Sequence, residues 1–404
     1  MGGVLSRISV IGWDGRPLSA EAGESLKGAT LVAGGERHLE VLGVESERAA
    51  VLKGDLSEAL ERIEASDGTV AVLASGDPGF FGIVRLLAER FGHENLRVFP
   101  AVSSVARAFA CAGLPWDDAV VVSVHGRDPR RALNVCRACP KVAVLTSPSF
   151  GPAKLADSLA ALDRTFVVAE RLGEPEERTY KGDAGKIAAM EWNDPNVVVV
   201  YDAKRAVREK GWISGSLESP ARWALPEEEF EHRSAMVTKA EVRALVLARL
   251  GPGIGDLVWD VGAGSGSVAV ECARFGAAAI AIERDAKSCE RIRRNAARHG
   301  VRVKVVEDEA PSSLRNLPEP DAVFVGGTGK NFEEIVKLAA SSARRSVVLT
   351  LVTLERVVPA GEILESCGLE VGTTLLQASR AKGVGEFHRL ASETPVFVVS
   401  GSRR

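Results

Sequence analysis

Tyrosine occurs only twice and methionine three times in 404 residues, and the net charge is −3. So little tyrosine offers no aromatic platform for stacked bases, and a nearly balanced charge gives no basic field. Together they argue against a nucleic-acid substrate or partner. No apolar run approaches the length of a membrane span, which argues against a membrane partner. Six cysteines in a chain this long do not suggest a disulfide scaffold. Cys136 and Cys139 have C-x-x-C spacing, but no second pair or nearby histidine accompanies them and Pro140 follows directly. They read as half-buried small residues, so no metal site is expected. Residues 1–14 lack the layout of a signal peptide, Val10-Ile11-Gly12 reading as a first strand, and the cytoplasm is the expected compartment. What is present is ordinary for a globular protein, 46% hydrophobic and 26% charged. The length implies two or three domains.

One stretch stands out, Asp260-Val261-Gly262-Ala263-Gly264-Ser265-Gly266-Ser267. The apolar run Leu257-Val258-Trp259 leads into it, and an amphipathic segment with Val268, Ala269, Cys272 and Ala273 follows. That order reads as buried strand, glycine turn, helix. Alternate glycines let backbone approach a ligand closely, and a helix start offers free N–H groups. The nicotinamide fingerprint G-x-G-x-x-G does not fit, because the third glycine comes one residue early. Asp260 precedes the first glycine, and a second apolar run, Ala279 to Ile282, ends in Glu283, which can accept from both ribose hydroxyls. The combination resembles the S-adenosylmethionine (SAM) site of class I methyltransferases. A structural βα turn or another nucleotide is the alternative.

Before this stretch, strand and helix signals alternate from residue 1 to about 115, which implies an α/β lobe with a mainly parallel sheet. Strands are expected at Ile8–Ile11, Ala29–Ala33, Val70–Ala74 and Leu96–Phe99, and helices at Ser57–Ala65, Phe81–Phe91 and Val105–Ala112. From Trp116 the texture changes, with strands at Ala119–Val124, Lys141–Leu145, Thr165–Ala169 and Asn196–Tyr201 marking a second lobe to about residue 205. Residues 206–235 read as a linker, packed in places by Trp212 and Trp223. The last domain, 236–404, opens with Thr238 as cap and Glu241 as the third helical residue of a capping box. Arg291, Arg293, Arg294 and Arg298 on the helix Asp285–His299 read as a solvated face. Strands follow at Val303–Glu307, Ala322–Val325 and Ser346–Val352. Glu370–Gln377 and Val396–Ser400 are expected to close the sheet as an antiparallel pair, bent around Gly383 and Gly385.

Gly76-Asp77-Pro78-Gly79, Pro100 with Ser103-Ser104, and Trp116-Asp117-Asp118-Ala119 leading to Ser123-Val124-His125-Gly126-Arg127 resemble the tetrapyrrole methylases, most of all their corrin C5 methyltransferase branch. The resemblance implies two α/β lobes holding SAM in the cleft between them, with Gly12, Gly76, Asp77, Ser103 and Ser104 at the cofactor. The first loop departs from that family: Trp13 stands in a shortened Gly12–Gly15 turn. Thr238-Lys239-Ala240-Glu241-Val242-Arg243, Val325-Gly326-Gly327 and the loop Glu307–Pro311 resemble the corrin C15 methyltransferase and decarboxylase family. That resemblance implies a class I (Rossmann-like) domain. Thr238, Asp260, Gly262, Ala263, Gly264, Ser265, Gly266, Glu283, Glu309 and Ala310 would hold a second SAM. Glu309 stands where that family usually has aspartate.

Together the halves resemble the fused precorrin methyltransferases of cobalamin biosynthesis. The implied reactions on precorrin-6B are methylation at C5 by the first half, and at C15 with loss of the ring C acetate as carbon dioxide by the second. The cobalt-containing precursor is an alternative substrate. A methyltransferase for another substrate and a non-catalytic SAM sensor are rivals. A substrate with several carboxylates calls for arginines, and Arg127 and Arg380 are candidates, or else ordinary surface charges. His388 is a candidate proton donor or a structural residue. No catalytic dyad is visible, and a homo-oligomer is expected from the second family's habit of assembling.

Overall fold

The computed structural model describes residues 7–54, 56–207, 220, 222–233 and 237–403. It divides into two compact units, Met1–Arg127 with Lys141–Ser214, and Asp128–Pro140 with Gly215–Arg404. Trp212 lies outside the described residues, and Trp223 is exposed.

The first unit holds two five-stranded sheets. Strands β1 (Ile8–Trp13), β2 (Leu31–Gly34), β3 (Ala49–Val51), β4 (Val70–Ser75) and β5 (Leu96–Phe99) run parallel in the order β3-β2-β4-β1-β5. Val70 to Leu73 is an unbroken apolar run with every residue buried, as a strand covered by helices on both faces requires. The second sheet is mixed. Its strands β6 (Val120–Ser123), β7 (Lys141–Leu145), β8 (Thr165–Glu170), β9 (Arg178–Gly182) and β10 (Asn196–Tyr201) lie in the order β6-β7-β10-β8-β9, and only β6 and β7 are parallel. Strand β10 is buried along its whole length.

The second unit is one seven-stranded sheet. Its parallel part comprises β11 (Leu257–Val261), β12 (Ala278–Glu283), β13 (Val303–Glu307), β14 (Ala322–Val325) and β15 (Ser346–Leu351). After β16 (Glu370–Leu376) come β17 (Ser379–Val384), β18 (Phe387–Ser392) and β19 (Val396–Ser402). The order is β13-β12-β11-β14-β15-β19-β16, with β19 antiparallel to both neighbours. Order reverses beside β11, and ligands of open α/β sheets sit at such a switch point, beyond the strands' C-terminal ends. Trp259 and Val261 anchor one core, while Val258 packs with Val246, Leu250 and Val268 in another. The bend expected around Gly383 and Gly385 is instead a two-stranded hairpin, β17 against β18, with Gly385 at φ +61° in its turn. No helix among the described residues is long and apolar enough to cross a membrane.

Candidate functional site

In the second unit the glycine turn leaves the end of β11. Gly262, Gly264 and Gly266 all have positive φ, at +69°, +56° and +72°. A Cβ on Gly262 would lie 2.5 Å from the Gly327 carbonyl oxygen, so two backbones touch here and only glycine fits. Gly266 is the N-cap of the helix Ser267–Arg274. Glu283, at the tip of β12, is held by two backbone donors: Gly264 N–H at 2.9 Å and Asp285 N–H at 3.0 Å. Each carboxylate oxygen keeps a lone pair for a diol. Asp260 is buried. Its Oδ2 accepts from Ala269 N–H at 3.0 Å, and its Oδ1 has no partner among the described residues. Burial, reinforced by the nearby Glu283 charge, pushes this carboxyl up to about 7. An orphaned buried acceptor and a cradle that a Cβ would fill suit a ligand carrying an ammonium group and a ribose, as SAM does.

Two cavities open on this cradle and share Gly262, Gly264 and Gly326. One, of about 500 Å³, is lined by Glu283, Asp308, Glu309, Ala310 and Thr328, with Arg233 and Arg291 at its edge. The other, of about 520 Å³, is lined by Thr238, Lys239, Ala263, Ser265, Ser267 and Glu393 against apolar side chains. Of the expected residues, Gly262, Gly264, Glu283, Glu309 and Ala310 line the first cavity and Thr238, Gly262, Ala263, Gly264 and Ser265 the second, while Asp260 and Gly266 line neither.

The first unit has its own cleft of about 500 Å³, at the C-terminal ends of β1 and β4. Trp13, Ser75, Gly76, Ser104, Arg107, His125 and Glu174 are on its walls. Gly76 has φ +60°, and its N–H donates to the Trp13 carbonyl at 2.7 Å. A Cβ on Gly12 would lie 2.2 Å from the Gly76 carbonyl oxygen, so these two loops also meet backbone to backbone. Under the cleft His38 is buried, 3.1 Å from Ser75 Oγ and edge-on to Trp13 at 5.7 Å. Burial, with Arg37 beside it, lowers this imidazole to about 4, so it is neutral at physiological pH. Glu174 pairs with both Arg37 and Arg171, and Arg107 reaches Glu177 at 2.6 Å and the Asp14 carbonyl at 2.8 Å.

Comparison with known proteins matches this arrangement half by half. Residues 14–188 match the model of the tetrapyrrole (corrin/porphyrin) methylases, and residues 228–403 that of the precorrin methyltransferase domain. A precorrin-6Y C(5,15)-methyltransferase [decarboxylating] from Sinorhizobium sp is 36% identical over 83% of this chain and 81% of its own length. The chain belongs to this family.

Two shorter proteins match parts of it. A probable cobalt-precorrin-6B C(15)-methyltransferase (decarboxylating) from Pyrobaculum calidifontis is 34% identical over 44% of this chain and 94% of its own length. A cobalt-precorrin-7 C(5)-methyltransferase from Salmonella typhimurium is 32% identical over 49% of this chain and 100% of its own. As a member of the family the chain is a SAM-dependent C-methyltransferase.

Within this member several sequence expectations need correction. Thr238 does not cap the helix Ala240–Leu250; its N-cap is Lys239, and the Ala240 N–H goes to Glu227 at 2.7 Å. Glu241 is not the return arm of a capping box either. It pairs with Arg380, whose guanidinium also holds Glu227. Ser103 caps the helix Ser104–Ala112 by accepting from Ala106 N–H at 3.1 Å, which leaves Ser104 as the serine on the cleft wall. Asp77 shapes its own loop by accepting from Gly79 N–H at 2.9 Å and does not line the cleft. Arg127 is exposed and off the cleft, whereas His125 lines it. His388 is exposed on β18.

Residues at or beside these cavities that the sequence reading did not single out as site residues are Arg37, His38, Ser75 and Arg107 in the first unit, and Lys239 and Glu393 in the second. Only Lys239 stood in a motif that carried the family resemblance, Thr238-Lys239-Ala240-Glu241-Val242-Arg243.

Proposed function

We propose that the chain methylates a precorrin at C5 and C15, using one SAM in each unit, and removes the ring C acetate as carbon dioxide in the second unit. The observation that carries this reading is the presence of two unrelated cradles on one chain. Each is built where two backbones touch with no room for a Cβ; Gly76 of the first lies within one family match, and Gly262 and Gly327 of the second within the other. SAM, when bound, supplies an electrophilic methyl group. The chain's own part is to hold an electron-rich ring carbon in line with it, so proximity dominates and no dedicated base is required before attack. In the second unit Asp260 and Glu283 would fix the cofactor's two ends. In the first, the neutral His38 would orient the Ser75 hydroxyl on the cleft wall, and Arg37 and Arg107 would meet the macrocycle's carboxylates in place of Glu174 and Glu177. No metal takes part in this scheme. Residues 1–205 would carry C5 chemistry and 236–404 C15 chemistry.

The test is mass spectrometry of the macrocycle after incubation of the chain with SAM and precorrin-6B, and in parallel with its cobalt complex. A gain of two methyls with loss of one carbon dioxide, giving precorrin-8, is the expected result. Conversion of the cobalt complex alone would change the substrate, and conversion of neither would refute the reading.

A further inference from the structure

Loss of carbon dioxide from an acetate side chain leaves a methylene carbon that must gain a proton to become methyl, so the second unit needs an acid near that carbon. Its cavity beside the glycine cradle has a mainly apolar wall, to which Val242, Val268, Phe324 and Val396 contribute. Such a wall suits a carboxylate that must shed water before it leaves. The polar groups of its described lining are hydroxyls, one carboxylate, Glu393, and one ammonium, Lys239. A hydroxyl is far too weak an acid to protonate carbon unaided, and an ionised carboxylate carries no proton to give. A lysine is ordinarily charged at neutral pH and holds a transferable proton.

Lys239 lines this cavity together with Glu393. Lys239 is the N-cap of the helix Ala240–Leu250, so its backbone is anchored, and its Nζ lies 3.8 Å from Glu393 Oε2. Glu393 is anchored in turn, its N–H donating to the Ala378 carbonyl at 2.9 Å where the hairpin returns towards β19. The pair is partly open to water, with side chains 32% and 22% exposed. The other candidates are excluded by position: Arg380 is held by Glu227 and Glu241, and His388 is exposed on β18.

Resting on the reading above, we infer that Lys239 is the acid of the decarboxylation and that Glu393 keeps it aimed. The bond between the methylene and carboxylate carbons breaks, and its electron pair passes onto the methylene carbon and the conjugated ring. Carbon dioxide leaves. The Nζ–H bond then breaks, its proton forms the third C–H bond of the new methyl group, and the neutral amine recovers a proton from solvent. Net, one proton is consumed and one carbon dioxide released, with no oxidant or reductant.

The experiment uses the full chain with SAM and precorrin-6B. It follows carbon dioxide release and C5 methylation separately, with Lys239→Met, Lys239→Arg and Glu393→Gln. Lys239→Met is expected to slow carbon dioxide release by about 100-fold or more, the usual contribution of a general acid, with C5 methylation unchanged. Lys239→Arg keeps the charge on a group that gives up its proton poorly. It should restore KM and leave kcat low. Glu393→Gln should lower kcat for carbon dioxide release while leaving KM and C5 methylation unchanged. SAM titration and the thermal transition of the second unit report whether each variant is folded. Full kcat in Lys239→Arg, or undiminished release in folded Lys239→Met, would overturn the assignment of Lys239 alone. Absence of carbon dioxide release by the unaltered chain would overturn the functional reading and this inference with it.

Discussion

Removing Arg380 should weaken the second unit without touching its affinity for substrate. The guanidinium reaches Glu227 at 2.7 and 3.0 Å and Glu241 at 3.0 and 2.5 Å. Glu227 is only 5% exposed. In Arg380→Ala it would remain buried beside Glu241, with the Ala240 N–H as its remaining partner. Breaking a buried ion pair by deleting one partner costs about 3–5 kcal/mol. The arginine side chain is 31% exposed, so water repays part of that loss and the lower figure, about 3 kcal/mol, applies. In a unit of about 200 residues each kcal/mol moves Tm by about 2–4 °C. Calorimetry should therefore show the second unit's transition lowered by roughly 6–12 °C and the first unit's unchanged. The deficit should also depend on pH. Hydrogen bonds from Arg380 hold Glu227 at about 2, against an ordinary 4.5. A carboxylate lowered in this way stabilises the fold above about 4.5 and loses that contribution as pH falls towards 2. The gap between the two proteins should be full at neutral pH and close on acidification. A tenfold rise in KM with unaltered Tm would refute this reasoning and return Arg380 to the substrate.

Gly262→Ala places a Cβ against the Gly327 backbone at a positive φ, so SAM titration should fall from two equivalents to one, with C15 chemistry lost and C5 methylation kept. Gly12→Ala should do the reverse, because its Cβ meets the Gly76 carbonyl. Asp260, raised to about 7 from an ordinary 3.8, binds its proton more tightly folded than unfolded. Without SAM, the second unit should therefore lose stability as pH rises across that interval, and Asp260→Asn should flatten the slope in denaturant melts. His38, lowered to about 4 from 6.5, works the other way. The first unit should lose stability as pH falls from 6.5 to 4, and His38→Asn should remove that part of the acid sensitivity.

The buried parallel strands were legible because a strand covered on both faces must be apolar throughout, as Val70–Leu73 and Ala278–Ile282 are. Edge strands have no such signature. Strand β9, Arg-Thr-Tyr-Lys-Gly, is polar and mostly exposed, and only its backbone pairing with β8 defines it. The glycine cradle was legible for a physical reason too: positive φ and backbone contact admit no other residue. The pairing of Arg380 was not legible because its partner Glu227 lies 153 residues away in sequence. A charge in a glycine-rich turn looks the same whether it faces solvent, a ligand or a distant carboxylate. Thr238 was misread as a cap because the sequence offered a local acceptor and concealed the distant one that prevails. His38 and Ser75 are 37 residues apart and gave no signal at all.

The stretch before the helix Ala240–Leu250 bears on where this chain can be cut. Leu225 N–H donates to the fully buried Glu271 at 2.7 Å, the Leu225 carbonyl accepts from the equally buried Arg243, and Glu231 N–H donates to Asn295 at 2.7 Å. A gene cut at Met236, where the helical motif begins, would leave Arg243 and Glu271 inside the protein with fewer partners than charge requires. A second unit produced by itself must therefore keep the segment that carries Leu225 and Glu231.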